Sequence, residues 1–414
     1  MTYPCQGGRV AGDTGVVVVA GVAGSGKSTL GRELAAAMRV PLLDLDAVTN
    51  PLLDRMVGPV LPTHWLAAPH GELIRKGRYA ALRAVARDVV ASAGCAVLVA
   101  PFTEELTGGA AWEELAAAVA PAEIRVLDLH GDPALLAARR ATRAEPRDAH
   151  RPGEATDVAA SVAAPAVPHI ALDASLTPGQ LLARALRALG HRTVVDPDNP
   201  LFGQRFEAVL FDLDGVLVDS TASVTRSWSR WAVEYGVSAQ ALQENHGQPA
   251  QALVQRLLGA DQVAAGLARI EDIEVDDAAS VAAIPGAHEA FASLPEHRRA
   301  VVTSGTPPIA TARLRTAGFP LPATLVTADD VPRGKPDPAP YLLAAERLGL
   351  PPERCLAVED APAGIASAQA AGCQVLAVAG TAPAEELAAA ALTVDGLDRL
   401  TVHVDDDGVR LKPA

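Results

Sequence analysis

Cysteine is scarce in this chain of 414 residues, and the four that occur follow no metal-binding pattern. Cys5, Cys95, Cys355 and Cys373 form no CxxC pair, and the last three lie in or beside apolar stretches typical of strands. Zinc sites and dithiol redox centres require cysteines at short, paired spacings. The sequence therefore argues against a cysteine-based metal or redox site and indicates reduced thiols in the core or at the surface.

Long hydrophobic runs are also missing. The longest early run, Val16 to Ala20, is far shorter than the roughly 20 apolar residues that a membrane-spanning helix requires. Neither a cationic segment nor a small-residue cleavage site accompanies it. With 49% hydrophobic and 20% charged residues, the chain is expected to be globular and cytoplasmic, without a membrane partner.

An excess of positive charge is missing too, because the formal net charge is -14. Residues 1–190 contain 18 Lys and Arg against 19 Asp and Glu, whereas the remaining residues contain 17 against 30. An acidic second half repels phosphodiester backbones. We therefore expect no nucleic-acid partner for that half, although a local basic groove stays compatible with the average.

No sequence repeat relates the two halves, yet both alternate short apolar runs with helical stretches. The first series contains VVVVA, PLLDLD, CAVLVA, IRVLDL and HIALDAS; the second contains EAVLFDLD, RAVVTSG, ATLVTAD, CLAVED and QVLAVAG. Such alternation predicts α/β domains, each a parallel sheet with crossover helices. The length suits two domains, which we predict at 1–190 and 206–414, joined by a proline-containing linker over 191–205.

The segment GVAGSGKST predicts a nucleotide site. It lies between an apolar strand and a helix that we expect to begin near Lys27. Its glycines let successive N–H groups converge on phosphate oxygens, and the helix N-terminus adds partial positive charge. Lys27 would reach the β- and γ-phosphates of ATP, and Ser28 would bind Mg²⁺. The predicted nucleotide-binding residues are Gly21, Gly24, Gly26, Lys27, Ser28 and Thr29.

A DxD pair extends this prediction from binding to phosphoryl transfer. The second strand is predicted to end in LLDLD, which places Asp44 and Asp46 at the carboxyl edge where α/β sheets collect ligands. With the glycine loop, these residues resemble the gluconokinase, shikimate kinase and chloramphenicol phosphotransferase group of P-loop kinases. The resemblance implies that Asp44 supports Mg²⁺ through water and that Asp46 is a catalytic residue holding the acceptor hydroxyl.

Further residues bear on the same resemblance. The stretch RRATRAEPRD resembles the arginine-rich lid of these kinases and implies that Arg139 and Arg143 bind ATP; a helix with a basic face is the alternative. The strand VLVAPFT lacks the acidic residue of a standard Walker B motif, which leaves a regulatory ATP-binding domain open. The expected acceptor region contains His64, Trp65, His70, Arg75, Arg78 and Tyr79.

Four segments of the second half place carboxylates, a hydroxyl and a lysine beside apolar runs. They are Asp212-x-Asp214-Gly215, VVTS ending at Ser304, Lys335 in RGKPDP, and Glu359-Asp360 in AVEDAPAG. A parallel sheet would bring all four to one edge. The carboxylates would repel one another unless a divalent cation lay among them, and oxygen ligands with a phosphate suit Mg²⁺.

These segments resemble the haloacid dehalogenase (HAD) superfamily of phosphohydrolases over essentially all of 206–414. The resemblance implies that Asp212 attacks phosphorus to form an aspartyl-phosphate, while Asp214 protonates the leaving alkoxide and then activates water. It implies that Lys335 keeps Asp212 ionised and that Thr303 donates to a phosphate oxygen. The implied magnesium ligands are Asp212, the Asp214 backbone carbonyl, Asp360 and, as a further or outer ligand, Glu359.

Spacing indicates an insert in this second domain. Asp212 and Thr303 are 91 residues apart, whereas a simple βαβ step needs only about 30. The extra residues, about 219 to 285, have the pattern of helices and predict a cap that selects small phosphate esters. The predicted fold class is thus a P-loop sheet followed by a Rossmann-like HAD sheet with an α-helical cap.

The segment Asn245-His246-Gly247 of the cap, together with later segments, resembles the glycerol-phosphate and deoxyglucose-phosphate phosphatases. His246 is either a specificity residue or a capping or core histidine.

The leading hypothesis is a bifunctional enzyme, an ATP-dependent sugar or polyol kinase fused to a Mg²⁺-dependent sugar or polyol phosphatase. If both sites handled the same position of one molecule they would only hydrolyse ATP, so we expect different positions, different intermediates or regulated alternation. Three alternatives stay open. The first is a polynucleotide kinase–phosphatase, since some of these enzymes share this domain order. The second is a phosphoglucomutase, because β-phosphoglucomutase-like members also have Val where Val216 follows Asp214-Gly215, and the third is a phosphatase regulated by its ATP-binding domain.

Overall fold

A computed structural model describes residues 15–66, 71–143, 165–192, 194–238, 241–242, 250–382 and 384–414. The chain forms two compact units that divide after Arg192. Each unit contains its own parallel sheet with helices between the strands. The predicted α/β class is confirmed.

The first unit is built on five parallel strands. They are β1 (Val16–Gly21), β2 (Leu42–Asp44), β3 (Ala96–Val99), β4 (Ile124–His130) and β5 (Ile170–Asp173). The order β2-β3-β1-β4-β5 places β1 at the centre, where all six of its residues are buried. A parallel strand covered on both faces requires an unbroken apolar run, which is why VVVVA forms this strand.

Among the described residues of this unit, six helices cover the sheet. They are α1 (Lys27–Met38), α2 (Leu45–Met56), α3 (Gly71–Ala93), α4 (Ala110–Val119), α5 (Pro133–Arg143) and α6 (Pro178–Ala188). Helix α1 begins at Lys27, as the glycine loop predicted. Helix α6 begins with a capping box, in which Thr177 and Gln180 satisfy each other's backbone N–H groups.

The second unit contains a six-stranded parallel sheet in the order β10-β9-β6-β11-β12-β13. Its strands are β6 (Ala208–Phe211), β9 (Arg299–Val302), β10 (Leu325–Val326), β11 (Cys355–Glu359), β12 (Gln374–Val378) and β13 (Leu392–Val394). Two antiparallel pairs complete the unit: β7 (Val218–Asp219) with β8 (Ala282–Ala283), and β14 (Leu400–Asp405) with β15 (Gly408–Pro413).

In the part of the cap that the structure describes, three helices lie between β7 and β8, as the predicted helical cap requires. They are α7 (Thr221–Tyr235), α8 (Ala250–Leu257) and α9 (Val263–Asp277). The buried Trp231 packs with Val254, Ile270 and Ile273, and its indole donates to the Gly266 carbonyl at 2.9 Å. The cap therefore has its own small core, and the β7–β8 pair ties its two connections together at the base.

Four further helices lie between the strands of the second sheet. They are α10 (Ala287–Ala292), α11 (Pro307–Thr316), α12 (Ala339–Leu348) and α13 (Pro362–Ala371). The sheet core includes Phe211 and Phe291, whose ring centroids lie 5.7 Å apart. Helix α11 follows the VVTS segment and packs near the cap helix α9, a position that matters for the site below.

The C-terminal hairpin was not predicted from the sequence. Its strand β15 pairs with Phe206 through two backbone hydrogen bonds with Val409, of 2.9 and 2.7 Å. Leu201, within the segment interpreted as a linker, is buried in the same core as Phe206 and Leu411. Leu201 therefore packs on the second unit, although it belongs to the segment that the proline content indicated as a linker.

The thiols are buried or half-buried. Cys95 is half-buried, Cys355 and Cys373 are buried, and burial raises the pKa of both Cys355 and Cys373 to about 12. These two thiols therefore stay protonated at neutral pH, while Cys5 lies outside the described residues. Among the helices that the structure describes, none combines the length and apolarity needed to cross a membrane.

Candidate active sites

The glycine-rich loop follows the central strand of the first sheet. Gly24 and Gly26 adopt φ angles of 89° and 90°, a region that other residues rarely enter. A Cβ on Gly24 would also lie 2.6 Å from the Leu136 carbonyl oxygen of α5. Gly26 caps α1 without any side-chain hydrogen bond. The loop thus adopts backbone conformations that favour glycine, and the N-terminus of α1 that follows it has no side-chain cap.

The cationic residues around this loop differ in position. Lys27 folds back over the loop and donates from Nζ to the Val22 carbonyl at 3.3 Å. Arg139 donates to the Ala174 carbonyl after β5, and burial lowers its pKa. Arg140, one residue on, packs with its Cγ 3.1 Å from the position that a Gly24 Cβ would take. Arg143 ends α5. Among the described side chains, Arg140 therefore lies against the phosphate loop.

The structure corrects the predicted position of Asp46. Strand β2 ends at Asp44, whose carboxylate accepts the Asp46 N–H at 2.9 Å and caps α2. Asp46 consequently lies in the first turn of a helix and not on the strand. Its carboxylate accepts from Arg78 of α3 at 2.5 Å, and Arg78 also donates to Thr49 at 2.8 Å. Both aspartates still lie near the carboxyl end of β2.

Other residues of the expected acceptor region divide into two groups. The Arg78 guanidinium stacks over the buried Trp65 ring, 4.7 Å from its centroid, so this pair belongs with Asp46. Tyr79 instead accepts the Phe102 N–H at 3.0 Å beyond β3, and Arg75 pairs with glutamates. His64 stacks on Trp65, and His70 lies outside the described residues.

In the second unit, Asp212 follows β6 and contacts Lys335. Lys335 Nζ donates to Asp212 Oδ1 at 2.5 Å, to Glu359 Oε1 at 2.6 Å and to the Val302 carbonyl at 2.9 Å. An ammonium has three hydrogens, and these three bonds use them all. Burial alone would lower the pKa of Lys335, yet Asp212 and Glu359 raise it above its ordinary value.

Both carboxylate oxygens of Glu359 accept hydrogen bonds, which its position in the AVEDAPAG segment did not predict. Its Oε1 also accepts from the Tyr341 hydroxyl at 2.6 Å, and its Oε2 accepts the Asp360 N–H at 3.1 Å. The side chain is 1% exposed. Because both oxygens already have partners, Glu359 is better placed to orient Lys335 than to bind an ion directly.

The carboxylates of this site fit a divalent cation. Oxygens of Asp212, Glu359 and Asp360 lie within 4.8 Å of one another. Burial raises the pKa of Asp212 to about 7 against the effect of Lys335, and burial with the neighbouring carboxylates raises that of Asp360 well above its usual range. A Mg²⁺ ion would offset this unfavourable negative charge. A Cβ on Gly215, at φ 82°, would overlap the Asp360 carboxylate, so glycine is required there.

Asp214 is held by two residues outside the four sequence segments. Its Oδ1 accepts from the Ser220 hydroxyl at 2.5 Å and from Arg313 Nη1 at 2.9 Å. Arg313 lies on α11 with a side chain only 4% exposed, and its Nη2 is 3.6 Å from Oε1 of Glu274 in the cap. The aspartate is thus positioned at a junction between core and cap.

Thr303 lies immediately beyond β9, the strand adjacent to β6. Its N–H donates to the Val326 carbonyl at 2.9 Å, and its hydroxyl accepts the Gly305 N–H at 3.0 Å. Thr303, Asp212 and Asp360 therefore all follow parallel strands at the same sheet edge. The segment Asn245-His246-Gly247 lies outside the described residues.

Comparison with known proteins agrees with this geometry. Residues 206–372 match the family model of haloacid dehalogenase-like hydrolases. Over 213 residues the chain is 41% identical to hexitol phosphatase A of Escherichia coli strain K12, a match that covers 49% of this chain and 97% of the relative. The chain belongs to the haloacid dehalogenase-like hydrolases. Its residues 16–165 match the model of an AAA domain, AAA_33.

Two other relatives of this hydrolase are phosphatases as well. Validoxylamine A 7'-phosphate phosphatase of Streptomyces hygroscopicus subsp. limoneus is 36% identical over 45% of this chain and 91% of its own. Glycerol-1-phosphate phosphohydrolase 2 of Saccharomyces cerevisiae is 30% identical over 43% of this chain and 76% of its own. The sequence-based recognition of a P-loop kinase-like unit before a HAD hydrolase, and the assignment as an enzyme, are confirmed.

Sequence reasoning missed several residues of the hydrolase site. Tyr341 lies in the apolar stretch YLLAAERLG, where a tyrosine carries no chemical signal. Ser220 lies five residues after Gly215, beyond the Asp212-x-Asp214-Gly215 segment, where a serine carries no chemical signal. Arg313 had one usable signal: with Ile309, Ala310 and Leu314 it forms the buried face of α11, and a buried arginine needs an anionic partner.

Proposed function

We propose that the second unit is a Mg²⁺-dependent phosphatase that hydrolyses small sugar or polyol phosphate monoesters through an aspartyl-phosphate intermediate. The observation that carries this proposal is the 2.5 Å contact between Asp212 and Lys335, beside Asp360 at the sheet edge. An ionised, screened carboxylate at that edge is the nucleophile such a reaction needs. The relatives named for hexitol and glycerol phosphates support the substrate class.

The proposed reaction has two steps. An Asp212 oxygen bonds to phosphorus as the ester P–O bond breaks, and Asp214 gives its proton to the leaving alkoxide. Asp214 then takes a proton from water, whose oxygen attacks the aspartyl-phosphate, and inorganic phosphate leaves as the Asp212 carboxylate re-forms. Lys335 screens the approach of two anions, and the Thr303 hydroxyl donates to a phosphate oxygen.

The residues that would hold Mg²⁺ are Asp212, Asp360 and the Asp214 carbonyl, with Glu359 behind them. When bound, the ion supplies charge neutralisation for the phosphoryl oxygens. The chain's own contribution is the arrangement of oxygen ligands and the exclusion of bulk water by burial: Asp212 and Asp360 are 7% and 4% exposed.

Mg²⁺ is expected to raise the melting temperature of EDTA-treated protein by about 5 °C at saturation, with a larger rise near pH 8 than near pH 6. In the ion-free site the pKa of Asp212 is raised to about 7. A raised pKa favours folding while the carboxyl is protonated, and this contribution is lost as the pH rises through about 7. Below that pH a proton competes with the ion. Thermal melts at both pH values test this, and an equal rise in Asp360→Asn would contradict it.

For the first unit, we propose transfer of the γ-phosphoryl group of ATP to a hydroxyl of a small sugar or polyol. The glycine loop with Lys27 and Ser28 would bind the triphosphate, and Asp44 would face its Mg²⁺. Arg139 and Arg143, assigned to ATP by resemblance, share α5 with Arg140, which packs against the loop.

Asp46 is the proposed acceptor-side residue of this kinase. Its contact with Arg78 fixes its carboxylate near the carboxyl end of β2. Because phosphorylating and dephosphorylating one position would only hydrolyse ATP, we propose that the two units act on different positions or different intermediates. The AAA domain match supports a P-loop unit of kinase type.

Kinase activity is expected to appear when the phosphatase is disabled. Asp212→Asn protein, incubated with ATP and a panel of sugars and polyols, should accumulate a phosphorylated product detectable by mass spectrometry. Adding Lys27→Ala should lower its formation about 100-fold or more, because the phosphates lose their ammonium contact. Lys76→Ala, which removes an exposed lysine of α3 paired with Glu72, is the matched control. Absence of product from Asp212→Asn protein would overturn the kinase proposal.

One observation favours a second role for the first unit. The turn after β3 has Ala100, Pro101 and the left-handed Phe102, at φ 50°, where a Walker B acid would follow the strand. An ATP-binding unit without turnover could instead regulate the phosphatase. ATP binding without product, combined with altered phosphatase kinetics, would favour this role over the kinase.

A polynucleotide substrate is tested in the same assay series. The acidic second unit opposes the approach of a phosphodiester backbone. Phosphate release from a 3′-phosphorylated oligonucleotide is therefore expected to be much slower than release from glycerol 1-phosphate. Comparable rates would replace the sugar phosphatase with a polynucleotide phosphatase.

A further inference from the structure

Arg313 carries a buried guanidinium whose hydrogen-bonding capacity is only partly used. Its Nη1 donates to Asp214 at 2.9 Å, whereas its Nε and Nη2 make no hydrogen bond in the part of the chain that the structure describes. The side chain is 4% exposed. Buried charged groups normally use their donors on protein groups or bound molecules. The unused donors indicate a partner that the described chain does not supply.

Glu274 of the cap faces this guanidinium. Its Oε1 lies 3.6 Å from Arg313 Nη2, close enough for an ion pair but too far for a hydrogen bond. Trp228 also hydrogen-bonds the Glu274 side chain, and burial raises the pKa of this carboxyl to about 7 against the effect of Arg313. The Nη2 donor of Arg313 in the core and the Oε1 acceptor of Glu274 in the cap thus face each other without a hydrogen bond between them.

A hydroxyl group fits this donor and acceptor. Its oxygen can accept from Nη2 while its hydrogen is donated to Oε1, since a hydroxyl both donates and accepts. A phosphate group fits less well, because it would place a third anionic group beside the carboxylates of Glu274 and Asp214. The chemistry therefore favours the alcohol part of a substrate over its phosphate.

We propose that Arg313 and Glu274 together bind a hydroxyl of the substrate on the carbon next to the phosphate ester. This inference rests on the phosphatase function proposed above and names the feature by which the site selects its esters. The position follows from Asp214, which is bonded to the same guanidinium and delivers the proton to the ester oxygen. The other terminal nitrogen of the same planar guanidinium, Nη2, faces Glu274 of the cap at 3.6 Å. We therefore assign it to the hydroxyl on the carbon next to the ester.

This arrangement links recognition to closure. Arg313 belongs to α11 of the core, whereas Glu274 belongs to α9 of the cap. A hydroxyl bound by both contributes to holding the cap over the site, and an ester without it leaves the buried Nη2 donor of Arg313 without a hydrogen bond. Sites built around a hydroxyl discriminate strongly against analogues that lack it for this reason.

The test compares two esters that differ only in this hydroxyl, glycerol 1-phosphate and propane-1,3-diol monophosphate. For the wild-type protein we expect kcat/KM to be about 10- to 100-fold higher for glycerol 1-phosphate, the range for a hydrogen bond to a charged group. In Arg313→Met and in Glu274→Gln the ratio should fall to nearly one. The ratio is the readout because loss of Arg313 also disturbs Asp214 and slows both esters.

Control variants and distinct outcomes show whether a negative result concerns the binding of the hydroxyl or the phosphatase function itself. Arg315→Met on α11 and Asp272→Asn on α9 change exposed residues of the same helices and should keep the wild-type ratio. Circular dichroism establishes folding, and Glu274→Gln decides alone if Arg313→Met does not fold. A wild-type ratio of one, or a full ratio in Glu274→Gln, overturns the inference and leaves the phosphatase intact. Hydrolysis of neither ester by wild-type protein overturns the phosphatase function and the inference with it.

Discussion

Asp212→Asn is expected to lower phosphate release from glycerol 1-phosphate by about four orders of magnitude or more, as removal of a nucleophile does in other enzymes. Asparagine keeps the shape of the side chain but has no anionic oxygen to bond to phosphorus. Lys335 loses one of its two carboxylate partners but retains Glu359 at 2.6 Å and the Val302 carbonyl. The loss should therefore appear in kcat, measured as inorganic phosphate, with the fold retained.

The matched control is Asp405→Asn, the same chemical change at an exposed position of β14 that pairs with Arg410. It should leave phosphate release unchanged. Acid quenching of wild-type protein during turnover, followed by intact mass spectrometry, should show one added phosphoryl group that Asp212→Asn lacks. Substantial turnover by Asp212→Asn would assign the nucleophile to another group and remove the proposed mechanism.

The sequence alone was sufficient to predict the location of site residues that directly follow a strand. Asp212, Thr303 and Asp360 each follow an apolar run. Parallel strands place such residues at one edge of the sheet, and this does not depend on the length or structure of the connections between the strands. Lys335 is different, since it lies after no strand. It was identified only by its motif, and the structure adds that it bonds two carboxylates and a strand carbonyl.

Residues that join separate elements could not be predicted in this way. Arg313 and Glu274 are 39 positions apart on two helices, and their proximity depends on how the cap packs on α11. Periodicity indicates which face of each helix is buried but not which faces meet. Tyr341 was missed for the same reason, since its bond to Glu359 crosses from α12 to β11.

Local capping explains the error at Asp46. The pattern LLDLD suits a strand by alternation, but Asp44 is a strong N-cap residue and starts α2 after only three strand residues. The C-terminal hairpin was missed because its sequence, LTVHVDDDGVRLKP, has mixed polarity and gives a weak strand signal, and its register depends on pairing with Phe206.

Lys335→Met is expected to destabilise the second unit by about 3–5 kcal/mol, the usual cost of removing one partner from a buried ion pair. The ammonium lies 2.5 Å from Asp212 and 2.6 Å from Glu359, and all three side chains are at most 9% exposed. Methionine fills the space but leaves two carboxylates facing each other. Urea unfolding measures the loss, with Lys412→Met, an exposed lysine of β15, as control.

A double variant separates the effect of Lys335 on stability from its effect on phosphatase activity. Glu359→Gln added to Lys335→Met removes one of the two uncompensated carboxylates and still accepts from the Tyr341 hydroxyl, so it should recover a large part of the lost stability. Phosphatase activity should stay absent, because Asp212 lacks the ammonium that screens its approach to an anionic phosphate. A double variant as unstable as Lys335→Met would show that the lysine stabilises by packing and not by pairing with Glu359. If activity returned together with stability, Lys335 would be needed only for stability. Asp212 would then be able to attack phosphorus without the ammonium group.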